Sequence, residues 1–401
     1  MEKNKSLTFG QKCIIASNFL NIAFQVFIEA FMVVMIMNTL ANPVAWIAIY
    51  SFLLYCFIQI SLAVASRFIK LGGRARLNTY RIGLGLSVAF MAIVATQGLA
   101  GNFYILGAIG GAALALIYCP IEATIAENIP AAQMTRFSNY DSAGLNTMRV
   151  IAPAALGFII SAHSFEYAAV ALIPLFLISF VLSFFIEKGK VQPGAKLHLG
   201  EFFAIARKNE HVMNVFKLDV ISGITIWGAA LVIVPMYAAR LFETTASIGL
   251  ILSGIMLFII ITNFLIARFG KAEHMATLVR WSSGAFFIAA AAFLMIKNQT
   301  SFIIYSCAYV VMSRLVGTNY KTFFYSALKV GGIDTKYTPE YHLIRHGALT
   351  VGRLLSCGLL LAAAMLGTAE GMKAALIAII ALLALLSIRI GKMNREQGHR
   401  V

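Results

Sequence analysis

The 401-residue sequence predicts an all-α polytopic membrane protein with about 12 transmembrane helices in two pseudo-symmetric six-helix bundles. Three observations carry this. Hydrophobic residues make up 60% of the chain and charged residues only 12%, against about 25% charged in a soluble domain. Apolar runs of about 20 residues recur along the whole length, each able to cross a hydrocarbon core roughly 30 Å thick. The third observation is a repeated, energetically costly residue. Arg149 lies within SAGLNTMRVIAP (142–153) and Arg353 within HGALTVGRLLSC (346–357). A shift of 204 positions superposes the two arginines and brings Ala143 and Leu145 onto Gly347 and Leu349. An arginine at membrane depth costs at least roughly 2.5–3.5 kcal/mol, so its recurrence reads as an internal duplication. Strand-like alternation is absent, which excludes a membrane β-barrel. No polar stretch is long enough to hold a large soluble domain.

The first half has apolar spans at 13–37, 43–65, 82–97, 102–122, 142–162 and 166–186. The first follows a few lysines and shows no small-residue cleavage site, so it is expected as a retained helix rather than a signal peptide. The second half has spans at 213–238, 247–267, 281–296, 301–320, 342–365 and 371–390. Between the halves lies the longest polar stretch, 187–212. Its Pro193-Gly194 pair predicts a turn, and GEFFAIARK (200–208) a short amphipathic helix on the membrane surface. The expected organisation is an N-terminal bundle over 1–187, a cytoplasmic linker over 188–212, and a C-terminal bundle with its tail over 213–401.

The formal net charge of +16 is distributed by topology. Basic residues crowd the N-terminus, the tail and alternate loops: Arg67 to Arg81, Lys188 to Lys208, Arg268 to Arg280, and Lys329 to Arg345. The intervening loops hold little beyond Arg240, Lys297 and Lys373. This positive-inside bias puts both termini in the cytoplasm. The basic balance therefore reports orientation, and no nucleic-acid partner is expected. The five cysteines (Cys13, Cys56, Cys119, Cys307, Cys357) lie in or beside apolar segments without CxxC or zinc-ligand spacing, so they are expected to pack as small hydrophobes.

The loops after spans 2 and 8 read ASRFIKLGGRARLNTYR (65–81) and ARFGKAEHMATLVR (267–280). They resemble the G-x-x-x-D-R-x-G-R-R type motif that the major facilitator superfamily carries in these two places. Arg67-Phe68 and Arg268-Phe269-Gly270-Lys271 keep the arginine and part of the basic tail, while Ser66 and Ala267 stand where the motif has its acid. Topology and spacing extend the resemblance over essentially the whole chain. It implies the facilitator fold and secondary transport, with two six-helix bundles rocking around a midplane site. For Arg67 and Arg268 it implies a gating role, reduced by the missing acids. Ala152-Pro153-Ala154-Ala155-Leu156-Gly157 in span 5 resembles the family's antiporter G-P-x-x-G-G type motif, which implies export. Small residues there would let neighbouring helices approach closely.

The residues themselves nominate a site. Glu29 sits nine residues, roughly 13 Å, from the polar end of span 1 at Asn38. A carboxylate at that depth suits proton coupling or substrate contact, the alternative being a structural, locally paired acid. Asp219, about five residues inside span 7, is expected to be solvated, as a helix cap or at a cavity entrance. Lys217 is poorly spaced to pair with it. Arg149 has Asp141 on its own helix and Glu122 on span 4 as possible charge partners, and Arg353 has Glu340 or backbone carbonyls. Guanidinium groups facing a cavity would favour an anionic substrate group; the alternative is ion pairing that stabilises one conformation. His342 and His346 share a helix face but lack a third metal ligand, so a polar mouth of span 11 is expected rather than a metal site. Trp227, at mid-depth in span 7, is a candidate wall for an amphiphile-binding cavity, whereas packing is the ordinary use of the other aromatics.

No Walker-type loop occurs, so no nucleotide cofactor is expected and the energy must come from an ion gradient, with protons favoured, or from the substrate's own gradient. The expected activity is proton-coupled efflux of an amphiphilic drug-like compound or metabolite. Organic-anion import and lysolipid flipping are alternatives within the same fold. A polytopic lipid-modifying enzyme is the alternative from another class, but no nucleophile–base pair supports catalysis. A small-molecule substrate, the bilayer, a monomeric state and a multi-pass location in a bacterial inner membrane complete the expectation.

Overall fold

The structure, a computed structural model, describes residues 6–97, 102–189, 198–269, 272–334 and 337–398. Helices make up nearly all of these. In chain order they are α1 (Phe9–Thr39), α2 (Pro43–Leu71), α3 (Gly73–Gln97), α4 (Phe103–Asn128), α5 (Ala131–Ala162) and α6 (Phe165–Leu182). There follow α7 (Leu199–Lys208), α8 (Glu210–Leu241), α9 (Thr245–Phe269), α10 (Ala272–Ile296), α11 (Gln299–Val330), α12 (Thr338–Ala364) and α13 (Thr368–Gly398). All but the ten-residue α7 are long and apolar enough to cross a membrane, giving 12 spans among the described residues. The α-helix suits this sequence because it satisfies every mid-membrane backbone group within one segment. α7 is the expected short amphipathic helix, with Phe202 buried against Tyr337 and Tyr341, while the Pro193-Gly194 turn lies outside the described residues.

Several helices outrun their apolar segments. α3 starts at Gly73 rather than at residue 82, and α5 at Ala131 rather than 142. Hydropathy marks where a helix meets lipid, whereas backbone hydrogen bonding continues into water until a residue breaks it. Between α2 and α3 the break is a pair of glycines with positive φ, Gly72 (66°) and Gly73 (53°). Only glycine adopts that conformation without steric cost. The basic loop read from the sequence is therefore mostly the first turns of α3.

Close packing divides the chain into two compact units. One comprises Met1–Ile36, Ile49–Lys196 and Thr244–Ser253; the other comprises Met37–Ala48, Leu197–Glu243 and Gly254–Val401. The first unit has an aromatic core in which Phe24 meets Phe90 and Phe176 edge-on, with centroids 5.5 and 5.3 Å apart. It is tied by polar clamps at one end. Arg76 reaches Glu127 at 2.5 Å and donates to the carbonyls of Ile69 and Ala123, joining α2, α3 and α4. Arg81 holds Ser183 and stacks on Phe184 beyond α6. In the second unit, Phe293 stacks on Tyr305 across α10 and α11, with Phe286 and Phe302 beside them.

Arg67, expected at the gate, is exposed, and the cation seen linking helices in this stretch is Arg76, which the sequence did not single out. Ser66, standing at the motif's acidic position, turns its hydroxyl back to the Ala63 carbonyl of its own helix. Arg268, its counterpart after span 8, is likewise exposed.

Candidate functional site

In the first unit the site is built around a distortion of α1. Over Phe27–Phe31 the helix widens so that the Met32 amide donates to the Phe27 carbonyl, five residues back rather than four. Such single π-turns recur at functional sites, because an extra residue per turn re-aims the side chains that follow. Here the buried Tyr50 of α2 donates its hydroxyl to the Ile28 carbonyl at 3.1 Å. Glu29 lies within this turn, only partly buried. Its Oε1 accepts from Gln25 Nε2 at 3.1 Å, and Gln25 Oε1 accepts from the Tyr118 hydroxyl of α4 at 3.3 Å. That hydroxyl is in electrostatic reach of Glu29, Arg149, Tyr80 and Glu122 together.

Further along the same wall, Asn18 donates to Asp141 at 2.9 Å, and Asp141 also feels the charge of Arg149. Asn21 donates to the Tyr80 hydroxyl at 3.0 Å. Glu122 is exposed, and no ion pair within 4.0 Å joins it to Arg149 among the described residues; Tyr118 lies within reach of both. Four sequence-nominated residues (Glu29, Glu122, Asp141, Arg149) thus share one polar wall formed by α1, α4 and α5.

The second unit carries a matching distortion in α8, at Thr225–Ala229. Gly228 leaves helical geometry altogether (φ −120°, ψ −109°), breaking the span at mid-length. Arg353 of α12 donates through Nε to the Trp227 carbonyl at 3.1 Å. Backbone carbonyls were among the partners the sequence allowed Arg353, and Trp227 is 42% exposed rather than packed. The approach of α12 to α8 depends on Gly223 and Gly352: a methyl on Gly352 would fall 2.1 Å from the Val220 carbonyl oxygen.

Asp219 corrects the sequence reading. It is not solvated but fully buried, accepting from the Tyr320 hydroxyl of α11 and from Arg345 Nε of α12, the latter at 3.2 Å. Lys217 is not its partner, as the spacing implied. Arg345 and Tyr320 were missed as site residues. The one signal was the local density of ionisable groups in EYHLIRH (340–346), which hydropathy averages away. Glu340, nominated as a partner for Arg353, accepts the His198 backbone N–H at 3.0 Å and anchors the start of α7. Tyr337 supports the same anchor, donating to Glu201 at 2.5 Å, and that carboxylate pushes the phenol's pKa up to about 12. Tyr325, Phe323 and Phe324 have side chains outside the described residues.

The span-5 motif behaves as its small residues implied. α5 runs through Pro153 without a break, and a methyl on Gly157 would lie 2.7 Å from the Thr245 carbonyl oxygen. A methyl on Gly249 would lie still nearer, 2.3 Å from the Pro153 carbonyl oxygen. The start of α9 therefore rests directly on the α5 backbone.

The family model described as the Major Facilitator Superfamily matches residues 14–331. No curated protein matches by sequence. Among solved structures, a bacterial homologue of the iron transporter ferroportin, in an inward-facing state, is similar with a TM-score of 0.72. The two are 13% identical over 97% of this chain and 100% of the other. A POT family transporter gives 0.74 at 11% identity, over 98% and 99%. A D-xylose-proton symporter gives 0.66 at 13% identity, over 94% and 97%.

Proposed function

Since the chain belongs to the Major Facilitator Superfamily, we propose that it moves a small amphiphilic molecule across the cell membrane by alternating access, coupled to the proton gradient and directed outward. The observation that carries the coupling is Glu29: a carboxylate at mid-span, on a re-aimed turn, wired through Gln25 to Tyr118 and within the field that Arg149 also feeds. Protonating it removes one charge from this wall, and a substrate arriving there would change how readily the proton binds. That reciprocity is what couples two ligands. Trp227 supports an amphiphilic substrate, since a half-exposed indole beside a broken helix offers an apolar face with a polar edge. The similar solved structures are named as a homologue of an iron transporter, a POT family transporter and a D-xylose-proton symporter, so the fold leaves the cargo to the side chains. The alternating basic loops support cytoplasmic termini.

Organic-anion uptake is the second reading, favoured by Arg149 and Arg353, both only partly buried within spans. Reconstitution into liposomes with an imposed pH gradient tests both. Outward proton-driven movement of chemically unchanged amphiphilic cations or neutral dyes supports the first reading, and gradient-driven uptake of carboxylates the second. Chemical conversion of a lipid without flux would refute transport.

A further inference from the structure

A groove of about 500 Å³ runs between the start of α1 and the start of α5, on the first unit. Its mouth carries Lys12 and Arg136, and its body is lined by Ile15, Phe19, Tyr140 and Gly144. We propose that this groove holds an anionic phospholipid of the surrounding leaflet, its headgroup between the two cations and an acyl chain along the apolar wall. Among the described residues neither Lys12 nor Arg136 has a carboxylate partner; the Arg136 guanidinium instead lies 5.9 Å over the Tyr140 ring. Both spans begin at this end, so the positive ends of their helix dipoles add to the same potential.

The geometry follows the bilayer. From Arg136 to Gly144 is eight residues, about 12 Å along the helix, descending from the polar boundary into the hydrocarbon. A soluble phosphate would engage the cations and gain nothing from Ile15 and Phe19, whereas a lipid engages both. The groove is distinct from the Glu29 wall. Among the described residues its lining includes none of Asn18, Gln25, Glu29 or Tyr118, and on α1 the mean direction of Lys12, Ile15 and Phe19 lies about a quarter-turn from that of Asn18, Gln25 and Glu29 by the 3.6-residue period. Gly144 leaves the room: a methyl there would meet nothing nearer than Phe19 at 3.8 Å, an ordinary contact.

Purified full-length protein, stripped of lipid in neutral detergent, can be titrated with dioleoyl phosphatidylglycerol, dioleoyl phosphatidylcholine or glycerol phosphate and read by native mass spectrometry. Wild type is expected to prefer phosphatidylglycerol over phosphatidylcholine by roughly 10- to 30-fold, the discrimination two interfacial cations provide. K12Q/R136Q should abolish that preference. Gly144→Leu, which fills the apolar half without touching charge, should weaken both lipids alike, and it decides the matter if the double variant folds poorly. The proposal is overturned if K12Q/R136Q keeps the preference, if Gly144→Leu binds as wild type, or if glycerol phosphate displaces the lipid. Movement of labelled phosphatidylglycerol between leaflets in proteoliposomes would also overturn it, by making the lipid cargo rather than resident.

Discussion

α1 and α8 open the two halves of the chain, and each contains one widened turn, Phe27–Phe31 and Thr225–Ala229. In α1 the turn's carbonyl is taken by a neutral hydroxyl, that of Tyr50, and the side chain presented is the acid Glu29. In α8 the carbonyl is taken by the guanidinium of Arg353, and the side chain presented is the indole of Trp227. A guanidinium keeps its charge at any accessible pH, whereas a carboxylate can gain or lose a proton without disturbing the Tyr50 bond. One backbone device thus serves a titratable wall in one unit and a fixed-charge, aromatic wall in the other. The second unit's own acid, Asp219, is already committed to Arg345 and Tyr320.

The sharpest way to break this contrast is Asp219→Ala. If the Asp219 cluster is structural, removing the carboxylate that neutralises Arg345 and leaving it the Tyr320 hydroxyl should cost about 3–5 kcal/mol, read as a large drop in the melting temperature of detergent-purified protein. Asp219→Asn, which still accepts both hydrogen bonds, should lose much less. Wild-type melting of the alanine variant would mean the pair contributes no stability.

Arg353→Gln should cost less, about 1.5 kcal/mol, the low end for a charged hydrogen bond because this one is solvent-exposed, and should loosen the α8 turn. The chain has three tryptophans, so in a W46F/W281F background only Trp227 fluoresces. Its emission should shift on Arg353→Gln and stay unchanged on Tyr50→Phe. Tyr50→Phe should lower stability by about 0.6–1.7 kcal/mol, the range for a single hydrogen bond within a membrane bundle. A pH-gradient flux lost to Tyr50→Phe but kept on Arg353→Gln would agree with the division drawn between the turns; the reverse would erase it.

The smallest effect concerns the surface anchor. Tyr337 holds its proton more tightly folded than unfolded because its hydroxyl donates to Glu201, whose charge also opposes the phenolate. Its stabilising contribution is therefore complete below the ordinary tyrosine pKa near 10 and fades as pH rises toward about 12. Tyr337→Phe should flatten the alkaline limb of a melting-temperature profile over that interval and leave transport at neutral pH unaltered.

The twelve spans and surface helix α7 were legible because lipid imposes length and composition on every crossing segment. Glu29, Arg149, Trp227 and Arg353 were legible one by one, since a polar or bulky residue at mid-span is conspicuous. Their partners were not. A π-turn adds one residue to a helix whose surroundings are almost uniformly apolar, so it leaves no break in periodicity. Arg345 passed for a loop cation because only the packing of α8 against α11 and α12 sets Tyr320 and Asp219 beside it. Arg76 was indistinguishable from Arg67 in a basic run until the Gly72-Gly73 turn decided which reaches Glu127.

The claim that most needs testing is that Glu29 carries the coupling proton. In proteoliposomes, Glu29→Gln should retain exchange of substrate across the membrane at equal concentration while losing accumulation driven by a pH gradient, together with the pH dependence of the rate. If Glu29→Gln still accumulates substrate against its gradient with the wild-type pH profile, the proton moves elsewhere and the contrast between the two turns has no functional meaning.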